Sequence, residues 1–147
     1  MPTRTPETDP AARAPGPPEA AIRGAHIAPW LPVRDPRAAI AFYRAAFGAV
    51  ERYRLEGEGG AVEVAQVAAG AADIWLQREP DAARTGRPGA GRLILTVADP
   101  DAVFACALAA GATEVFPVGE GHGWRLGRLI DPFGHEWEVG RRLDSPA

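Results

Sequence analysis

Hydrophobic and polar residues follow one succession of patterns that occurs twice along the chain. In the first copy, strand-like alternation over 26–33 leads into the helix start Asp35-Pro36 and an apolar stripe at helical spacing. Three further strand candidates, separated by turns that contain glycine, lie at 50–55, 61–68 and 72–77. The order of these elements predicts a βαβββ unit.

A second copy of the same order follows a polar connector at 78–91. Its helix start, Asp99-Pro100, again lies between a predicted strand and a predicted helix. A predicted loop at 119–123 contains His122. Its predicted elements are a strand at 93–97, a helix at 102–110, and three strands at 113–118, 124–130 and 135–139.

Two short matches show that the copies are related. Residues 33–36 match 97–100 with an offset of 64, and residues 45–51 match 108–114 with an offset of 63. An internal duplication of this kind determines the fold class more strongly than local propensities do. We therefore expect an α+β fold in which tandem βαβββ modules form a cupped mixed sheet.

The modules are expected to make one domain with short tails. The modules span about 26–78 and 91–140, and the whole domain spans 24–143. Residues 1–23 hold six of the 15 prolines and almost no large apolar side chain, so we predict a disordered Pro/Ala-rich tail. Residues 144–147 form a second, shorter tail.

The composition argues against several classes of function. The formal net charge is −3 and the pI is about 5.6, so the basic surface of a nucleic-acid-binding protein is missing. No apolar run approaches the ~20 residues of a membrane span, and the first residues do not read as a signal peptide. We expect a cytoplasmic protein without a nucleic-acid or membrane partner.

Alternation along the predicted strands directs one set of side chains into the cup. This set combines two indole rings, two carboxylates, a guanidinium and a hydroxyl: Trp30, Trp75, Arg92, Thr96, Glu136 and Glu138. Stacking and cation–π contacts suit it to a flat aromatic or cationic ligand. Two alternative roles stay open, in which the tryptophans only fill the cup and Glu138 forms an ion pair with Arg92.

The segments 26–48 and 123–140, which ends in "DPFGHEWEVG", resemble the vicinal oxygen chelate superfamily. That superfamily includes glyoxalase I, extradiol dioxygenases, fosfomycin-modifying enzymes and bleomycin-sequestering proteins. The resemblance implies the glyoxalase/bleomycin-resistance type of fold for roughly residues 26–143. It does not specify a reaction, because one fold carries many functions.

The resemblance also implies where a divalent metal would be held. The enzymes place one ligand on the first strand of each module and a glutamate on the last strand. In this chain the glutamate falls on Glu138, whereas the first-strand positions fall on Ala28 and Arg92. Alanine has no donor atom and a guanidinium repels a cation, so the resemblance does not carry a complete ligand set over.

Two functions follow from this comparison. The first is a metal-independent, cofactor-free protein that binds an aromatic or cationic small molecule, like drug-sequestering bleomycin-resistance proteins, with antibiotic resistance as the corresponding role. The alternative is a divalent-metal-dependent lyase, isomerase or dioxygenase that uses Glu138, His26 and a third ligand such as Gln66. Whether the protein is an enzyme therefore stays open. Exposed sheet edges and an open cup lead us to expect a homodimer.

Overall fold

The computed structural model describes Thr3 and residues 14–82 and 91–144. Most of the tail predicted at 1–23 lies outside the described residues, as do 83–90 of the connector and 145–147 of the second tail. The described residues 14–23 are exposed and contain one short 3-10 turn, Glu19–Ile22.

Each module is a βαβββ unit with its own four-stranded sheet, which confirms the tandem arrangement predicted from the duplication. The sheet orders are β1-β4-β3-β2 and β5-β8-β7-β6, with the first strand of each module parallel to the last. The first module consists of β1 (Trp30–Val33), α1 (Pro36–Phe47), β2 (Val50–Glu56), β3 (Val62–Ala69) and β4 (Ala72–Arg78). The second consists of β5 (Leu93–Thr96), α2 (Pro100–Ala109), β6 (Thr113–Gly121), β7 (Trp124–Ile130) and β8 (Glu136–Arg142).

Both helices begin as their sequences predict. The carboxylate of Asp35 accepts hydrogen bonds from the backbone N–H groups of Arg37 and Ala38, and Asp99 caps Ala102 in the same way. Gly48 ends α1 with φ = 70°, in the left-handed region that glycine adopts without strain. In the described ranges no helix is long and apolar enough to cross a membrane.

The first strand is shorter than the pattern at 26–33 predicts. Ladder pairing with β4 begins at Trp30, and Ile27, which lies inside the predicted strand, is 99% exposed. That part of the prediction is wrong. Pro29 explains the late start, because a proline has no N–H to donate and pairs here only through its carbonyl, which accepts from Trp75.

The predicted loop at 119–123 is also not a loop. Strand β6 continues to Gly121, which pairs with Trp124, so only His122 and Gly123 form the connection. Both have positive φ, 54° and 83°, as a tight two-residue hairpin turn requires. His122 therefore lies at the tip of a short hairpin.

The helices cover one face of each sheet, and the buried residues form one core that joins the two modules. Helix α1 packs against α2, and the rings of Phe47 and Trp137 meet across the modules with centroids 4.9 Å apart. Apolar residues of β4, β5 and β8 are buried or partly buried in this core: Ile74, Leu76, Leu93, Leu95 and Trp137.

A buried carboxylate connects the modules through polar contacts. Asp131, in the turn before β8, accepts from the Tyr43 hydroxyl of α1 at 2.5 Å and from the Trp137 indole at 2.8 Å. Its second oxygen accepts from the backbone N–H groups of Phe133 and His135. Burial, followed by the charge of Asp131, raises the pKa of Tyr43 well above its ordinary value, so its phenol stays protonated and donates.

Candidate functional site

The face of the first sheet opposite the helices carries a row of aromatic and amide side chains, here called the aromatic row. Its members lie side by side across all four strands. Trp30 of β1 pairs with Trp75 of β4, Trp75 with Gln66 of β3, and Gln66 with Tyr53 of β2. Since neighbouring residues in register point to the same side of a sheet, these side chains form one continuous surface.

The rings of the aromatic row are close enough to act together. The Trp30 and Trp75 rings stack with centroids 6.0 Å apart and planes inclined by 24°, and the Tyr53 ring lies 5.8 Å from Trp75. Trp30 is 51% exposed, although its indole N–H is fixed by a 2.7 Å bond to the Gln77 side-chain oxygen. The row is thus a positioned apolar surface that faces away from the core.

One contact between a histidine and a carboxylate borders the aromatic row. Asp73 lies two residues before Trp75 on β4, on the same face of the strand. Its Oδ2 lies 3.3 Å from Nε2 of His26, which belongs to the segment before β1. The metal candidate His26 is therefore next to a carboxylate of the first sheet, beside the aromatic row.

The second sheet carries an equivalent row with different chemistry, here called the charged row. It runs from Ile94 of β5 through Glu138 of β8 and Arg128 of β7 to Phe116 of β6. Each member lies 62 to 64 residues after its counterpart in the aromatic row. The duplication has therefore kept the position of the row and the aromatic residue at its β6 end, whereas Ile94, Glu138 and Arg128 stand in place of the two indoles and the amide.

The charges on this face of the second sheet are paired with one another. Arg128 bonds to the carboxylate of Glu136 and lies over the Phe116 ring at 5.3 Å, and Arg92 Nε is 3.8 Å from Glu138 Oε1. Within the described part of the chain, Nε of Arg128 is buried without a hydrogen-bond partner.

The six residues predicted to line the cup divide into two groups. Trp30 and Trp75 belong to the first sheet and stack. Arg92, Thr96, Glu136 and Glu138 belong to the second module, where Arg92 directly precedes β5 and Thr96 is exposed at its end. No hydrogen bond, ion pair or ring contact of the described residues links one group to the other.

The residues present do not fit the metal site that the resemblance implies. Ala28 offers no ligand, Arg92 directs its guanidinium at Glu138, and the remaining candidates, His26 and Gln66, belong to the first module. In residues 14–82 and 91–144, no three side chains of His, Cys, Asp or Glu are grouped so that they could hold a metal ion.

Tyr53 and Phe116 are the site residues that simple alternation did not predict. Each follows a residue without a register partner, Arg52 in β2 and Val115 in β6, where the ladder shifts. Such a bulge moves the following side chain to the other face of the strand. The 63-residue offset that relates 45–51 to 108–114 also relates Tyr53 to Phe116. This repeat is the feature of the sequence that could have identified the two residues.

Comparison with known families agrees with this architecture. A family model described as a glyoxalase-like domain matches residues 30–140, which include both sheets. The chain belongs to the glyoxalase-like family. It is thereby a member of the vicinal oxygen chelate superfamily, as its sequence led us to expect. A search of curated proteins found no match.

Several solved structures share the fold. TioX from Micromonospora sp. ML1 is 28% identical with a TM-score of 0.66, over 82% of this chain and 100% of TioX. A glyoxalase/bleomycin resistance protein/dioxygenase family enzyme from Burkholderia phytofirmans PsJN is 21% identical with a TM-score of 0.63, covering 79% and 97%. A member of the glyoxalase/bleomycin resistance protein/dioxygenase superfamily from Sphaerobacter thermophilus DSM 20745 is 18% identical with a TM-score of 0.61, over 80% of this chain and 98% of that protein. At these identities the last two show the fold alone.

Proposed function

We propose that this glyoxalase-like protein is a metal-independent binding protein that takes up a flat aromatic small molecule on the aromatic row. The observation that carries the proposal is the stacked pair Trp30 and Trp75 on the face opposite the core, in which Trp30 is fixed by a hydrogen bond to Gln77 yet half exposed. Indole rings that only filled space would be covered. A ring stacked on this pair gains apolar burial and aromatic contact together.

Sequestration is the activity that this surface supports best. It resembles the behaviour of drug-binding members of the superfamily, and protection against an aromatic antibiotic is the corresponding physiological role. No cofactor is required. The location in the cytoplasm and the lack of a nucleic-acid partner stay predictions from composition.

A metal-dependent lyase, isomerase or dioxygenase is the alternative, and the charges on the second sheet disfavour it. Such an enzyme would need Glu138 free to bind the metal, but the side chain is paired with Arg92. One carboxylate beside a permanent positive charge is a poor site for a divalent cation. The enzyme would also have to bring His26 or Gln66 from the first module.

We further propose that two copies associate so that the aromatic row of one faces the charged row of the other. Both faces expose large apolar side chains, and Ile94 and Phe116 are 63% and 55% exposed. A twofold arrangement uses this pairing twice and brings all six predicted cup residues around each ligand.

Sedimentation velocity tests this assembly. We expect the mass of a dimer at about 50 μM, and a shift towards monomer in Phe116→Glu, because the added carboxylate would be buried in the interface. Ile22→Glu is the matched control, since Ile22 is similarly exposed but lies outside both sheets. A wild-type monomer at this concentration would contradict the dimer.

Replacing Trp30 by alanine tests the binding surface. The substitution should weaken the binding of a flat aromatic probe, acridine at pH 8, by about 1–3 kcal/mol, because it removes half of the stacked pair. Isothermal titration gives the dissociation constants, and binding to the wild type should also quench tryptophan fluorescence.

Two control variants make the result interpretable. Trp30→Phe keeps a ring and should retain most of the affinity, whereas Ile22→Ala removes a comparably exposed apolar side chain elsewhere and should retain all of it. If Trp30→Ala binds acridine as tightly as the wild type does, the aromatic row is not the binding surface.

A further inference from the structure

The carboxylate beside the aromatic row has a different setting from the other carboxylates on the open sheet faces. Glu136 and Glu138 on the second sheet are each paired with an arginine, whose charge is permanent. In the described residues, the ion-pair partner of Asp73 is the imidazole of His26 alone, and this pair is charged on both sides only when the histidine is protonated.

The position of Asp73 relates this charge directly to the rings. Asp73 and Trp75 are alternate residues of one strand, so their side chains project from the same face about 7 Å apart at the backbone. A plane stacked on Trp75 therefore has its edge within reach of the carboxylate. The Asp73 side chain is only 24% exposed, so a charge beside it is less screened than at an open surface.

The partner of Asp73 can be displaced. His26 is 66% exposed, precedes the first strand, and is otherwise held by a 3.4 Å contact to the Gly24 carbonyl. Displacement of the imidazole by a cationic group of the ligand would cost little free energy, because the histidine ring can turn into solvent. The arginines at Glu136 and Glu138 do not offer this exchange.

We propose that Asp73 makes the aromatic row selective for planar cations over neutral planar molecules of the same shape. This inference rests on the proposed function, since it assumes that the ligand stacks on Trp30 and Trp75. The ligand class is an aromatic system that carries a permanent or protonated positive charge at its edge. The charge meets Asp73 while the ring meets the indoles.

N-methylacridinium and acridine are a suitable pair of probes, because at pH 8 they share one ring system and differ in charge. Isothermal titration on the full chain at low salt should show that the wild type binds the cation about 5- to 10-fold more tightly. In Asp73→Asn this preference should fall to about twofold or less, with acridine affinity unchanged. Added NaCl should weaken the cation alone.

Glu63→Gln is the matched control. It removes the same charge from the same sheet, but Glu63 lies on β3 between Val62 and Val64, on the face opposite Gln66, and is paired with Arg78. It should keep the preference of about 5- to 10-fold. The inference is overturned if Glu63→Gln and Asp73→Asn act alike, or if Asp73→Asn leaves the preference intact.

The outcomes separate this inference from the proposed function. Equal binding of both probes, weakened equally by Trp30→Ala, would leave the stacking surface in place and refute the role of Asp73. Failure of the wild type to bind either probe would refute both. Asp73 is partly exposed and its pair joins no core residue, so Asp73→Asn should unfold at the wild-type temperature, which thermal melting verifies.

Discussion

Replacing Asp131 by alanine is expected to lower the free energy of unfolding by about 3–5 kcal/mol. The substitution removes a buried acceptor on which four donors converge: the Tyr43 hydroxyl, the Trp137 indole, and the backbone N–H groups of Phe133 and His135. The Tyr43 and Trp137 donors would remain buried without a partner, the two backbone N–H groups would be left partly buried, and that desolvation cost accounts for most of the loss. Urea unfolding followed by circular dichroism measures it.

Two milder variants test the cause. Tyr43→Phe removes one donor and leaves the carboxylate with three, so it should cost about 1–2 kcal/mol. The loss of unfolding free energy in Asp131→Asn should lie between those of Tyr43→Phe and Asp131→Ala. The NH2 group of the asparagine side chain would face the Tyr43 and Trp137 donors as a further donor. A loss below about 1 kcal/mol in Asp131→Ala would show that the connection between the modules does not depend on this carboxylate.

Truncating one core leucine in either sheet is expected to destabilise the whole protein. Leu76 in the first sheet and Leu129 in the second are both fully buried and belong to the same core. Leu76→Ala and Leu129→Ala should each cost about 2–5 kcal/mol through lost burial and the cavity left behind. Because the core spans both modules, each variant should still unfold in one transition with an unchanged denaturant slope.

Separate unfolding of the modules would appear differently in the same experiment. Leu76→Ala would then lower one of two transitions and leave the other at its wild-type midpoint, and Leu129→Ala would do the reverse. The Phe47–Trp137 ring contact and the Tyr43–Asp131 bond across the modules argue for the single transition.

The sequence was informative where local chemistry determines the backbone. Asp35-Pro36 and Asp99-Pro100 predicted both helix starts, and the repeated order of elements predicted two βαβββ modules. Local pattern was less informative at β1. The alternation over 26–33 predicts a strand that starts before Trp30, although Pro29 has no N–H to donate to the ladder. A hydrophobic pattern reflects the polarity of side chains and not the presence of a backbone N–H.

The candidate site was less predictable for two physical reasons. The bulges at Arg52 and Val115 reverse the alternation, so Tyr53 and Phe116 could not be placed by a period of two. In the described residues the strands of each module then pair only with one another, and the resulting two sheets divide Trp30 and Trp75 from Glu136 and Glu138. Such tertiary arrangement is not encoded in any single strand.

A crystal structure of the protein in complex with N-methylacridinium would show which of the two sheets binds the ligand. We expect the ring plane to stack about 3.5–4 Å from the indole of Trp30 or Trp75, with its charged edge towards Asp73. Density for the probe on the charged row, with the face of Trp30 and Trp75 empty, would contradict the proposed binding surface. So would a metal ion bound by Glu138 after displacement of Arg92.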